Sequence, residues 1–429
     1  MKLLWLCNMV PGAVKKAITG KEGNGLWVDH VLEDLRRQDD LEIRILCPYK
    51  KEKSGNVDNW CSYRTFRTKL PYQYLPELEE RFAAELNEFQ PDVIHSWGVE
   101  YAHTLAMANA AEKTGHLNRM AVSIQGLCGF IAGHYCEGIP HKVLRSTTFR
   151  DFLRKDNILQ QQEKFVLRGQ LEQQALQKVS HVIGRTHWDK ACTALINPNA
   201  AYHVCNETLR DPFYKDTWSA DRCTGHRIFA SSCSYPVKGF HHLLEAFALV
   251  VQVYPDATLA VPGKSYLKAG TLRRNSYQKY LADLTRKYGL EEKIQFLGSL
   301  DAQGMKDACL DANVFVLPST VENSPNALGE AMILGVPCVA ADVGGVTTLM
   351  THGTEGYIYQ STAPYMLAHF IKSVFEMGEK AAAMGLSARD HALKTHDPEK
   401  NLQDLLAIYH QAEKLSSLET YVLAVLPRE

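Results

Sequence analysis

The stretch Val314–Gly345, VFVLPSTVENSPNALGEAMILGVPCVAADVGG, decides how this chain is read. A strand is expected over Val314–Ser319; its start, Val314–Leu317, is an unbroken apolar run, the mark of burial on both faces. Pro318 ends it, and a polar loop runs from Ser319 to Pro325. A helix is expected over Asn326–Leu334, because a proline precedes it and Gly335-Val336-Pro337 stops it. A second apolar strand then starts at Cys338. Strand, loop, helix and strand in this order form a βαβ unit, and its two strands run parallel.

Working outward, the same alternation continues in both directions. Strands are expected at Lys2–Met9, Leu41–Cys47, Asp92–Trp97, Met120–Gly126 and Val179–Thr186, and then at Arg227–Cys233, Ala257–Gly263, Lys293–Gly298 and Cys338–Gly344. Between them lie helical patterns such as Leu26–Arg37, Val99–Lys113, Phe165–Lys178, Phe240–Tyr254 and Ser276–Tyr288. This is the pattern of an α/β protein with parallel sheets. It predicts two doubly wound, Rossmann-like domains. The polar segment Asn206–Gly225 is the expected boundary, giving domains 1–205 and 206–395. Residues 396–429 form a C-terminal helix and tail.

The chain has 429 residues, of which 45% are hydrophobic and 22% charged, ordinary values for a globular protein. Lys plus Arg is 47 and Asp plus Glu is 48, so no basic excess points to nucleic acid. No apolar run approaches the ~20 residues of a membrane span. The short apolar start, Met1–Cys7, reads as a strand rather than a secretory leader. The 11 cysteines contain no CxxC pair and the 17 histidines no HExxH. Free thiols in a reducing cytoplasm are therefore expected, with no metal site.

In parallel sheets, ligands bind beyond the carboxyl ends of the strands. The helix start at Asn326, Ala327 and Leu328 offers backbone N–H groups to a phosphate. Glu330 is placed to accept from a cis-diol such as ribose, and Glu322 from sugar hydroxyls. The plain alternative is that Glu322 caps the helix and Glu330 is a surface charge. For two isolated glutamates that alternative is the commoner one. A second segment, Phe229–Phe240 (FASSCSYPVKGF), ends a buried strand and carries Lys238-Gly239 into a helix. A lysine there suits a diphosphate, or is simply exposed at a helix start.

Taken in order, Lys238-Gly239, Glu322, the run ENSPNALGE, GVPCVA and Gly344-Gly345 resemble the family-4 glycosyltransferases of the GT-B fold. The resemblance extends over nearly the whole chain. It implies two Rossmann-like domains facing a central cleft, with the last helix crossing back to the first. It implies retaining transfer of a hexose-type sugar from a UDP- or GDP-linked donor to a hydroxyl, in polysaccharide or glycoconjugate synthesis. Lys238 and Glu322 would be the catalytic pair. Ser232, Gly239, Asn323, Asn326, Ala327, Leu328 and Glu330 would complete the donor site. Gly263, Gly298 and Ser299 would border the nucleobase, and Gly25, His95, Gln125 and Arg185 would lie on the acceptor side. No metal or other cofactor is implied, and no DxD motif occurs.

The sequence also departs from the family. Ser232 and Cys233 stand where the family has an arginine, so Lys238, the helix end, Arg185 or another basic group must meet the diphosphate. Gln125 stands where the family often has a histidine. His95 reads equally as a satisfied core histidine, and Thr186 as a cap for the helix that follows it. The expected partners are the nucleotide-sugar donor and a saccharide or lipid-linked acceptor, with no nucleic acid. Residues 141–168 carry seven Lys or Arg, a solvated face or a peripheral contact with the inner membrane surface. Two rival readings share this fold: a nucleotide-sugar epimerase and a non-catalytic sugar-nucleotide binder.

Overall fold

The computed structural model describes residues 1–21, 27–38 and 40–425. They divide into two compact units. One holds Met1–Phe130, Phe165–Thr208 and Asp397–Glu429; the other holds Ile131–Lys164 and Leu209–His396.

The first unit is built on strands β1 (Lys2–Cys7), β2 (Glu42–Pro48), β3 (Ser54–Asn56), β4 (Cys61–Phe66), β5 (Val93–Trp97), β6 (Met120–Ser123), β7 (His181–Gly184) and β8 (Ala201–Val204). Their order across the sheet is β3-β4-β2-β1-β5-β6-β7-β8. All pairs are parallel except the β3–β4 hairpin. Side chains alternate across a strand, so β1 feeds two cores. Leu4 and Leu6 pack with Phe82 and Met107 on one face. Leu3, Trp5 and Cys7 pack with Leu32, Leu405 and Tyr409 on the other.

The helix Pro398–Val425 supplies Leu402, Leu405, Ile408 and Tyr409 to that second core. Tyr409 is fully buried, and its hydroxyl accepts from Trp5 Nε1 at 3.2 Å and lies 2.7 Å from His95 Nδ1. The last helix thus belongs to the first unit, although the chain between has built the second.

The second unit carries β9 (Arg227–Phe229), β10 (Thr258–Val261), β11 (Ile294–Phe296), β12 (Val314–Leu317), β13 (Cys338–Asp342) and β14 (Tyr357–Gln360). Their order is β11-β10-β9-β12-β13-β14, parallel throughout. The strands β10, β12 and β13 are short, mostly apolar runs, as a sheet covered on both faces requires. The chain winds outward from β9 to β11, then returns to start β12 against the other side of β9. The switch in winding direction therefore lies between β9 and β12, the site where such sheets open a crevice.

The continuous boundary expected at residue 205 needs correction, because residues 131–164 go with the second unit. Thr320 Oγ1 donates to the carbonyl of His134 at 3.0 Å. His241 Nε2 lies 3.0 Å from the carbonyl of Glu137. The fully buried Asp151 carboxylate accepts from the N–H of Ser276 at 2.7 Å. Such polar tethers leave no trace in a hydrophobic pattern.

Candidate donor site at the carboxyl ends of β9 and β12

Lys238 and Glu322 follow the two strands at the switch point. Lys238 Nζ lies 2.7 Å from Glu322 Oε1, and Ser319 Oγ donates to the same oxygen at 2.6 Å. Burial pulls the lysine pKa down, but the Glu322 carboxylate and the nearby Tyr235 pull it up by more, so the ammonium stays charged. The pair is held by backbone geometry. Gly239 has φ 61°, and a Cβ there would collide with the carbonyl oxygen of Pro318. Thr320 N–H donates to the carbonyl of Val237 at 2.9 Å. The β9 loop and the β12 loop thus touch through main chain, and only glycine fits at the contact. On the other side, Gly344 has φ 51°, and a Cβ on it would collide with the carbonyl of Glu322; Gly345 N–H donates to that carbonyl at 3.1 Å. The Gly-Gly turn buttresses Glu322.

Glu330 sits inside the helix Asn326–Leu334, with its side chain 6% exposed. It is neither a surface charge nor unpaired. Arg210 forks onto it, Nε to Oε1 at 2.6 Å and Nη2 to Oε2 at 2.7 Å. Burial raises the Glu330 pKa and Arg210 lowers it; the net result lies above the ordinary carboxylate value. The guanidinium also stacks 5.0 Å from the Phe213 ring centroid. Sequence reading missed Arg210, which lies in the polar stretch taken as the domain boundary. A fork this far from Glu330 along the chain has no local signal. The only hint was that a buried glutamate demands a cation.

The remaining donor-side expectations divide. Asn323 is buried beside Glu322, and Ser232 is half-buried with its Oγ 2.9 Å from Ser234 Oγ. Asn326 and Ala327 open the helix as expected. The Leu328 N–H is already given to the Pro325 carbonyl at 2.9 Å, so it is committed within the first turn. Gly329 lets His396 and Leu209 come close to the helix: a Cβ would lie 2.6 Å from His396 Nε2 and 3.0 Å from Leu209 Cδ1. Gly263 and Gly298 exchange backbone hydrogen bonds at 2.6 and 3.2 Å. Both border an open cavity of about 1040 Å³ that Lys264, Lys268 and Arg273 also line; Ser299 is not among its lining residues.

The acceptor-side expectations fall in the first unit. Gly25 lies outside the described residues. His95 is a core residue, 1% exposed, with Nδ1 on Tyr409 and Nε2 2.7 Å from Ser123 Oγ. Desolvation lowers its pKa to about 3, so it stays neutral; enclosed in the core, it does not line an open surface where an acceptor could reach it. Gln125 and Arg185 are brought together. Arg185 pairs with Glu207 at 2.7 Å, and Gln125 Nε2 donates to the other oxygen of Glu207 at 2.6 Å. Arg185 is thus buried and paired within the first unit. A cavity of about 30 Å³ lies beside the triad, room for a water molecule. Thr186 caps its helix through a reciprocal box with Asp189.

Fold and site together define a two-domain α/β protein of Rossmann-like architecture, with cation–carboxylate pairs at the switch point of its second sheet. Residues 227–391 match the family model described as glycosyl transferases group 1. An uncharacterized glycosyltransferase of Bacillus subtilis is 26% identical over 43% of this chain and 48% of its own length. A D-inositol 3-phosphate glycosyltransferase of Jonesia denitrificans is 27% identical over 43% of each chain. The match thus spans less than half the length of these curated relatives. Among solved structures, sucrose-phosphate synthase of Thermosynechococcus elongatus superposes with a TM-score of 0.71 at 16% identity, over 96% of this chain and 99% of that one. Anabaena HepE in complex with UDP gives 0.65 at 18% identity, over 97% and 100%. The likeness is one of fold, and it is the GT-B fold. The family match, the relatives' names and this fold all support group 1 of the glycosyltransferases.

Proposed function

We propose that the chain is a retaining glycosyltransferase that takes a hexose-type sugar from a UDP- or GDP-linked donor to a saccharide or lipid-linked hydroxyl, in the cytoplasm. The observation that carries this reading is the paired site at the β9–β12 switch point, inside the segment matched to group 1. In it Lys238 meets the diphosphate, Glu322 the donor sugar and Glu330 the ribose hydroxyls, with Arg210 opposing the burial that raises the Glu330 pKa. HepE, of like fold, is described in complex with UDP-glucose.

The chemistry asks little of a general base. As the C1–O bond to the diphosphate breaks, the acceptor oxygen bonds to C1 on the same face. The acceptor's proton passes to the departing phosphate oxygen. The protein's work is to hold the reactants and to offset the charge growing on the diphosphate. A lysine fixed by main-chain contacts suits that task, because it need not reorganise as charge appears. No step draws on a metal or another cofactor.

The test begins with melting curves in UDP-, GDP- and ADP-sugars, since a ligand of the folded state raises the melting temperature. The stabilising donor is then offered with candidate acceptors. Lys238→Ala is expected to lower kcat/KM by ~10²–10³, the usual effect of losing one charge-stabilising contact. Unchanged turnover in that variant ends the assignment. An epimer formed without acceptor replaces it with isomerisation, and tight binding without turnover replaces it with a binding role.

A further inference from the structure

The short helix Phe149–Arg154 inverts the usual rule for a surface helix. Its inward residue is charged: Asp151 is fully buried, capped reciprocally with Thr148, paired with Arg150 at 3.1 Å and bonded to the N–H of Ser276. Its outward residues are apolar: Phe149 is 59%, Phe152 72% and Leu153 65% exposed. Positions i, i+3 and i+4 form one stripe along a helix. The turn Thr271–Arg273 packs beside this helix and adds Leu272, 69% exposed. Soluble proteins seldom gather large exposed apolar side chains in one place without a partner.

The charges around the stripe are of one sign. Arg154 and Lys155 follow it directly, Arg273 lies in the adjoining turn, and Lys142 and Arg145 precede it; all are exposed. The acids flanking the helix are paired, Asp151 with Ser276 and Arg150, and Asp156 with Arg150 at 3.1 Å; Glu163, further along the chain, is exposed. Asp151 pins the helix, so the aromatic side chains stand outward as a fixed feature rather than a frayed end.

We propose that Phe149, Phe152, Leu153 and Leu272, ringed by Arg154, Lys155 and Arg273, form a docking surface for an anionic lipid bilayer. Large apolar side chains entering the headgroup–acyl boundary, with cations at the headgroups, are the two parts of interfacial binding. Charge favours this occupant over a second copy of the chain, because two such faces would set like charges against each other. Among the described residues no helix is long and apolar enough to cross a membrane, so the contact is with the surface of the bilayer. The proposal is independent of the transfer reading, since vesicle binding needs no turnover.

The experiment is co-sedimentation of the whole chain with phosphatidylcholine vesicles, with and without about a third phosphatidylglycerol. The wild type is expected to bind the anionic vesicles and to be released by salt. Phe152→Ser with Leu153→Ser should weaken that binding at least about tenfold. Arg154→Glu with Lys155→Glu should weaken it by a similar factor, and only on the anionic vesicles. All four positions are exposed, so melting temperatures and turnover of a soluble acceptor should hold. Absence of wild-type binding, or equal binding by both variants, overturns the proposal. So does a wild-type dimer that the Phe152/Leu153 variant abolishes, which would assign the face to a second copy.

Discussion

Replacing Arg210 by alanine tests the least expected feature of the donor site. Glu330 is almost wholly buried, and both its oxygens are bonded to Arg210. Removing one partner of a buried pair costs about 3–5 kcal/mol, because a charge is left without compensation. The Arg210 side chain is 28% exposed, so water enters the gap and the lower end, about 3 kcal/mol, is expected. For a domain of this size that is roughly 6–12 °C in melting temperature. The loss depends on pH with a definite sign. Burial already holds the Glu330 pKa above the ordinary carboxylate range, and Arg210 is what opposes it. Without Arg210 the pKa rises further, so the buried group is neutral at lower pH and charged at higher pH. The gap between variant and wild type should therefore be widest near pH 8 and close as pH falls through the carboxylate's raised pKa. Melts from pH 8 to pH 5 measure it, and groups common to both proteins cancel in the difference. Adding Glu330→Gln to Arg210→Ala should recover most of the loss, because a neutral amide no longer needs the cation. A gap that is flat with pH, or a double variant that loses the sum of the two single changes, would refute the reasoning.

Other consequences follow from the same geometry. Gly239→Ala and Gly344→Ala each force a side chain into a carbonyl oxygen at positive φ; each should cost about 2 kcal/mol or more and abolish donor-induced stabilisation. Gly133→Ala meets nothing within 4 Å, so its melting curve should stay within about 0.5 kcal/mol of wild type or improve. His95 and His103 in the first unit are both held neutral by burial, at about 3. Their folded pKa lies below the unfolded value, so the stability they permit is present above about pH 6.5 and lost as pH falls toward 3. The unfolding free energy, from denaturant melts between pH 6 and 4.5, should fall by up to ~3 kcal/mol per pH unit in this unit, and His95→Asn should reduce that slope.

The strands and helices of both sheets were legible because buried parallel strands are short apolar runs and their covering helices repeat at helical spacing. Val314–Leu317, Asn326–Leu334 and Ser276–Lys287 lie where the pattern put them. Strands β3, β4, β8 and β14 were not among those expected; SGN, AYHV and YIYQ are short and mixed, and CSYRTF sets Ser62, Arg64 and Thr65 among its apolar residues.

What the sequence by itself determined is the alternation that makes two doubly wound sheets and the loops that follow their strands. These are local properties, set by neighbours along the chain. What only the tertiary structure decided is which charges meet. Arg210 reaches Glu330, Arg185 is taken by Glu207, His95 is enclosed by Tyr409, and Asp151 turns inward so that Phe152 and Leu153 face out. Burial and pairing depend on groups far apart in the chain. A carboxylate or an imidazole reads the same in sequence whether it ends in water, in a core or opposite a guanidinium.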